Sequence, residues 1–292
     1  MSTVDFIRAG TLADALAAKA EHPDAVPIAG GTDVMVELNF DRRRPGVLLD
    51  LTPVSELADW STMDGRVRLG AGVPYSRIIE ELTGPLPGLA MASRTVGSPQ
   101  IRNRGTVGGN LGSASPAGDA HPPLLATGAE VEVASVRGMR TVPVGEFFTG
   151  PKRNALAPDE LITAVLVPPA TGPQQFAKVG TRNAMVIAVC SFSVALHPDR
   201  GTVGTGIGSA GPTPLRATGA EDFVRHELSG RWRSGEALPE TVLRRFGELV
   251  GGAAQPIDDV RGTAAYRRHA LAVLARRTLS WAWEDYRTGR WS

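Results

Sequence analysis

The spacing of apolar residues changes period repeatedly along this chain, and each change marks an element. Residues 11–20 follow a Thr11-x-x-Asp14 start with an alanine-rich body, the pattern of a capped helix. Residues 25–29 predict a short strand that runs into a glycine loop. Val47–Leu51 and Val67–Leu69 predict strands, and Tyr75–Leu82 and Leu86–Val96 predict helices. A second glycine run follows. His121–Thr127 then predicts a short helix, with Pro122 and Pro123 tolerated in its first turn. Glu130–Ala134 and Leu161–Val167 predict strands. The breaker-rich stretch from Pro168 to Pro173 predicts a boundary, which divides the chain into residues 1–172 and 173–292. Beyond it, Phe176–Gly180, Val186–Leu196 and Val203–Ser209 predict three strands of one sheet. Helices are expected at about 238–250 and 264–287. The last is amphipathic, with Leu271, Leu274 and Leu279 on its apolar side and Arg267, Arg268, Arg276 and Arg277 on its solvated face. Strands and helices mix without regular βα alternation, so the expected class is α+β.

Composition narrows the possible functions. A net charge of +1 gives no electrostatic reason to bind nucleic acid. No apolar run is long enough to span a membrane. The N-terminal residues lack the basic-then-apolar order of a secretory signal, so a cytoplasmic location is expected. The single cysteine, Cys190, excludes a disulfide within the chain and a cysteine-ligated iron–sulfur cluster. It lies in the apolar stretch VIAVCSFSVAL and reads as a buried strand residue. Five histidines are scattered without metal-ligand spacing, so no metal site is expected.

Two glycine-rich runs carry the candidate chemistry. The longer, from Gly105 to His121, reads GTVGGNLGSASPAGDAH. The shorter is Ala29-Gly30-Gly31-Thr32-Asp33. Glycine reaches positive φ and lets backbone N–H groups approach a ligand, and successive N–H groups can form a nest for phosphate. Asn110, Ser113, Ser115 and Asp119 add side chains able to hydrogen-bond a sugar or heterocycle. Either run alone also fits a tight turn. Together they fit a ligand with two phosphates, hence a dinucleotide. Gly206-Ile-Gly208-Ser-Ala-Gly211 matches the Rossmann fingerprint, but Pro212-Thr-Pro214 follow where a helix is required. No Rossmann site is expected there.

These residues resemble the flavoprotein subunit of the molybdenum hydroxylases, the family of xanthine dehydrogenase and aerobic carbon monoxide dehydrogenase. The likeness is strongest in IAGGTDVMVEL at 28–38, TVGGNLGSASPAGDAHP at 106–122 and FAKVGTR at 176–182. It implies an FAD-binding domain of the vanillyl-alcohol-oxidase (PCMH) type, followed by a smaller α+β domain. It places the pyrophosphate and adjoining FAD atoms on Ala29, Gly30, Gly31, Thr32, Asp33 and Val34, and on Thr106, Val107, Gly108, Gly109 and Asn110. Ser113 and Asp119 would bind polar parts of FAD. Val96 falls where some members set an aromatic over the adenine. Ile162 and Lys178 match positions that line the flavin, and Lys178 is a candidate for favouring the reduced anion. Arg182–Ile187 matches a loop that varies among members.

The implied FAD is non-covalent, and the implied function is electron transfer. Molybdopterin is expected on a large partner subunit and two-iron two-sulfur clusters on a small one, with NAD+ or dioxygen as acceptor. Thr32-Asp33 is more similar to the purine-oxidising members than to the carbon monoxide enzymes. Two other readings stay open from the sequence. One is a self-contained FAD-dependent oxidase with its own substrate. The other is a nucleotide-binding module that does no redox work.

Overall fold

Three hydrophobic cores follow one another in chain order. A computed structural model describes residues 4–291. The first core gathers around β1 (Asp5–Arg8), α1 (Leu12–Glu21), β2 (Val26–Ile28) and β3 (Val47–Asp50), while α2 (Val34–Asn39) in the same stretch buries no residue. The strands form a parallel sheet in the order β1-β3-β2. The predicted cap of α1 is complete: Asp14 N–H donates to the Thr11 hydroxyl and Thr11 N–H donates back to the Asp14 carboxylate, both at 3.1 Å. Ala9, Ala15, Leu49 and Leu57 close this core.

The second core belongs to a longer stretch. It begins with β4 (Trp60–Met63), β5 (Arg66–Gly70), α3 (Tyr75–Glu81) and α4 (Pro87–Arg94). It continues through α5 (Pro99–Arg104), α6 (Val107–Ser113) and α7 (His121–Thr127). It ends with β6 (Glu130–Ser135), β7 (Gly138–Pro143), α8 (Val144–Phe147), β8 (Phe148–Gly150), β9 (Arg153–Asn154) and β10 (Leu161–Val167). Its main sheet is antiparallel, in the order β4-β5-β10-β6-β7. Leu69, Val131 and Val165 on the sheet meet Leu111 and Leu124 on α6 and α7. Sequence patterning missed β4 and β7 because both are edge strands. Their side chains are nearly all exposed, so no apolar alternation marks them.

Residues 168–173 lead into the third core, built by β11 (Gln174–Val179), β12 (Cys190–His197), β13 (Thr202–Gly208), α9 (Thr218–Leu228), α10 (Arg231–Ser234), α11 (Glu240–Ala253) and α12 (Ala264–Thr288). The sheet is antiparallel with β12 in the centre. Every residue of β12 is buried. That strand begins at Cys190 rather than at Val186, because residues 186–189 form the end of a loop. Cys190 is fully buried, as its apolar neighbours predict. Arg267 departs from the solvated face expected for α12. It is 2% exposed, and its guanidinium donates to the carbonyls of Val189 and Ser209 at 2.8 and 2.7 Å. Among the described residues, no helix is long and apolar enough to cross a membrane.

The second and third cores meet where α7 lies on β13. Gly204, Gly206 and Gly208 alternate along β13 and so share one face of the sheet. A Cβ on Gly204 would sit 2.0 Å from the Ala126 carbonyl oxygen, and one on Gly206 would sit 2.0 Å from the Pro122 carbonyl oxygen. The helix backbone therefore rests directly on the strand. His197 of β12 adds a 3.1 Å hydrogen bond to the same Ala126 carbonyl. The G-x-G-x-x-G match is thus a seat for a helix, and Gly206 and Gly208 lie within a strand.

Gly206→Val puts a branched side chain against backbone that cannot swing aside. Overpacking of this kind costs about 1–3 kcal/mol, and the upper end is expected here. Urea unfolding should show that loss. An unchanged midpoint would contradict the direct seating of α7.

Candidate functional site

The first glycine segment links β2 to α2. Gly31 has φ +74°, a conformation that favours glycine. Its carbonyl accepts from Met35 N–H at 3.0 Å, which starts the helical turn. The N–H groups of Gly30, Gly31, Thr32, Asp33 and Val34 find no acceptor among the described residues. They form a row of free donors at the entrance to α2, the arrangement an anion needs. Ala29 sits at the edge of this row, where its carbonyl accepts from the Thr52 hydroxyl at 3.3 Å.

The second segment does not form the expected nest. None of Gly105, Gly108, Gly109, Gly112 and Gly118 has positive φ. Residues from Val107 to Ser113 are helical instead, with Thr106 as N-cap and its hydroxyl accepting from Gly109 N–H at 2.9 Å. The glycines serve close packing. A Cβ on Gly108 would fall 2.5 Å from the Ala71 methyl. Val107 is wholly buried in the core, so any ligand contact there is through backbone. Gly109 is different. It is exposed, and a Cβ there would meet only its own capping hydroxyl, at 3.1 Å. Its bare face is open.

The two segments touch. A Cβ on Gly30 would overlap the Arg104 carbonyl, and one on Gly105 would sit 3.5 Å from the Thr32 hydroxyl. The Gly30 side of this contact admits no side chain, and the Gly105 side is an ordinary van der Waals contact. The rest of the candidate set connects to it in sequence. The Ser113 hydroxyl donates to the Asn110 carbonyl at 3.0 Å, and His121 Nε2 bonds the same oxygen at 3.2 Å. Ile162 on β10 lies behind Gly112, 3.8 Å from where its Cβ would be. Asp119 stands just before α7, and its carboxylate accepts from Lys178 Nζ of β11 at 2.6 Å. Lys178 also donates to the Thr95 carbonyl at 3.2 Å, beside half-buried Val96. The Val96 and Gly97 carbonyls are held in turn by the Arg102 guanidinium, each at 3.0 Å.

Known proteins share this fold. Residues 2–170 match the family model of the FAD-binding domain in molybdopterin dehydrogenase. Residues 175–282 match the carbon monoxide dehydrogenase flavoprotein C-terminal domain. The chain belongs to the FAD-binding subunits of the molybdopterin dehydrogenases. It is 31% identical to the xanthine dehydrogenase FAD-binding subunit of Escherichia coli over 285 residues, covering 94% of each chain. It is 29% identical to the carbon monoxide dehydrogenase medium chain of Afipia carboxidovorans, covering 94% of this chain and 95% of that one. A solved Cu,Mo-carbon monoxide dehydrogenase superposes with a TM-score of 0.88 at 28% identity, covering 96% of this chain and 98% of its own. The fold is therefore that of an oxidoreductase flavoprotein subunit with an FAD-binding domain and a smaller C-terminal domain.

The residues present fit FAD. Tyr75 Oη, Asn110 Oδ1 and Asp119 Oδ1 are buried and have no hydrogen-bond partner. Each buried orphan costs about 1–3 kcal/mol, a loss that a polar ligand would offset. Burial pushes the Asp119 carboxyl up to about 6, against the pull of the Lys178 ammonium. Burial also lowers the His121 imidazole to about 4, so it is neutral near pH 7. Because a carbonyl can only accept, Nε2 carries the proton that bonds Asn110. Sequence reading missed Tyr75 and the Thr95 carbonyl. Tyr75 resembles an ordinary helix residue in the pattern, and a backbone carbonyl leaves no mark in sequence.

Lys178→Met should expose the coupling within the buried pair. Removing one partner of such a pair costs about 3–5 kcal/mol. Without the ammonium, the Asp119 carboxyl rises further above its unfolded value of about 3.9. A raised folded-state value means stability is lost as pH rises through it. The penalty should therefore be larger at pH 8 than at pH 5 in urea unfolding. An equal penalty at both pH values would show that Asp119 does not sense Lys178.

Proposed function

We propose that this chain is the FAD-bearing electron-transfer subunit of a heteromeric molybdenum hydroxylase, linking an iron–sulfur partner to NAD+ or dioxygen. The observation that carries this reading is the junction of the two glycine segments. There Gly30 packs on the Arg104 carbonyl and Thr32 on Gly105, which brings the free N–H row from Gly30 to Val34 against the second segment, whose Asn110 and Asp119 carry unpartnered oxygens. Bound FAD supplies the redox chemistry: it accepts electrons singly or in pairs, which suits a link between one-electron clusters and a two-electron acceptor.

The chain's own residues bind and orient the cofactor. The N–H row and Thr106–Asn110 would hold the pyrophosphate, with Ser113 and Asp119 on polar parts of FAD. Ile162 and Lys178 would line the flavin, and Lys178 puts a cation there that favours negative charge on a reduced ring. Val96 would border the adenine. Attachment is non-covalent. His121 is fully buried and already bonded to Asn110, and Cys190 is buried in the third core with its thiol pushed up to about 12.

The family reading implies partner subunits, and the composition fits it. One cysteine cannot ligate an iron–sulfur cluster, so electrons from molybdenum need clusters on another chain. A large molybdopterin subunit and a small iron–sulfur subunit would complete the enzyme, in the cytoplasm. Purine-type substrates are the favoured class, because Thr32-Asp33 is similar to that branch.

The test is anaerobic. FAD-loaded isolated chain is mixed in turn with xanthine, an aldehyde and NADH, and flavin absorbance is followed. NADH should bleach the flavin, and the hydroxylation substrates should not. Rapid bleaching by xanthine or the aldehyde with no partner present would instead favour a self-contained oxidase.

A further inference from the structure

Tyr75 is the first residue of α3, and its backbone is tied to the second glycine segment. Its N–H donates to the Gly105 carbonyl at 3.0 Å, and Pro74 just before it bridges to Thr106. The ring lies against Gly105, where a Cβ would sit 3.5 Å from both the ring and the Thr32 hydroxyl. The phenol is thus directly beneath the contact between the two glycine segments. The residue is 2% exposed, and its hydroxyl has no hydrogen-bond partner. Phenylalanine would fill the same space without that cost. The charges that bear on the phenol are Asp33, from the first segment, and Asp119, from beside Lys178. Burial first, and then these two acidic charges, hold it well above the usual phenol range. The phenol therefore stays protonated, with a proton to donate and no acceptor among the described residues to take it.

We propose that the Tyr75 hydroxyl donates a hydrogen bond to an oxygen of the bound dinucleotide, at the pyrophosphate or the ribityl chain, and is a cofactor-binding residue. This rests on the FAD reading above. It explains why a hydroxyl is kept in a core position whose packing does not use it.

Tyr75→Phe tests it through two readouts of opposite sign. The flavin-free variant should melt at or above the wild-type temperature, because a buried orphan has been removed. Its FAD dissociation constant should rise about tenfold, the effect of one lost hydrogen bond. ADP as a second probe locates the acceptor. An equal loss for ADP places it on the pyrophosphate, and a loss for FAD alone places it on the ribityl chain. An unchanged FAD affinity would overturn the proposal, as when an internal water serves the hydroxyl. A lower melting temperature in the flavin-free variant would also overturn it, since the hydroxyl would then have a partner within the chain. Titration of wild type separates the two levels: if it takes up no FAD, the FAD reading itself fails.

Discussion

The seating of α7 on the bare face of β13 decides where everything else goes. Helix carbonyls at Pro122 and Ala126 rest on Gly206 and Gly204 without intervening side chains. No larger residue permits that approach, so the distance between the second and third cores is set by backbone alone. Interiors are close-packed and do not deform continuously, so a fixed helix fixes its neighbours. Asp119 sits just before α7, and Lys178 sits on β11 of the same sheet. Once the helix is seated, the carboxylate and the ammonium meet at 2.6 Å. His121, at the helix start, ties the same unit back to Asn110 of α6. A packing constraint thereby brings a residue of the third core to the candidate site, which lies mainly in the first two.

That site combines polar groups without their usual compensation. Two charges are buried together at Asp119 and Lys178, with side chains 10% and 7% exposed. The attraction between them offsets much of the desolvation but does not remove it, and so the carboxyl stays raised. Nearby oxygens have no partners, and a row of N–H groups has no acceptor. A stable chain tolerates such losses where a ligand restores them. FAD offers acceptors along its pyrophosphate and ribityl chain and donors on its ring and sugar hydroxyls. The deficits of the protein and the chemistry of the cofactor are complementary.

Much of this was legible in the residues. Elements with a buried face announce themselves by period, and α1, α7 and β10 fall where the pattern puts them. Edge strands do not, because β4 and β7 expose both faces; Asp64-Gly65, at the β4–β5 hairpin, was the local signal available for the first. The second glycine run was misleading in form. Three glycines within Val107–Ser113 lower intrinsic helix propensity by about 1 kcal/mol each, yet the segment is helical. The Thr106 cap and the burial of Val107 and Leu111 override propensity there. Arg267 was misread for a related reason. Its position on α12 is polar in sequence, but the carbonyls of Val189 and Ser209 converge on it from distant loops. The pairing of Asp119 with Lys178 is likewise non-local and emerges only once α7 is placed.

Hydrogen–deuterium exchange with and without FAD tests most directly whether both cores share the cofactor site. Binding should slow exchange at residues 30–34 in the first segment and in the peptides around Asp119. It should also slow exchange around Lys178, across the seat of α7. Protection confined to residues before 170, with β11 unchanged, would contradict a site that depends on the docking of the third core.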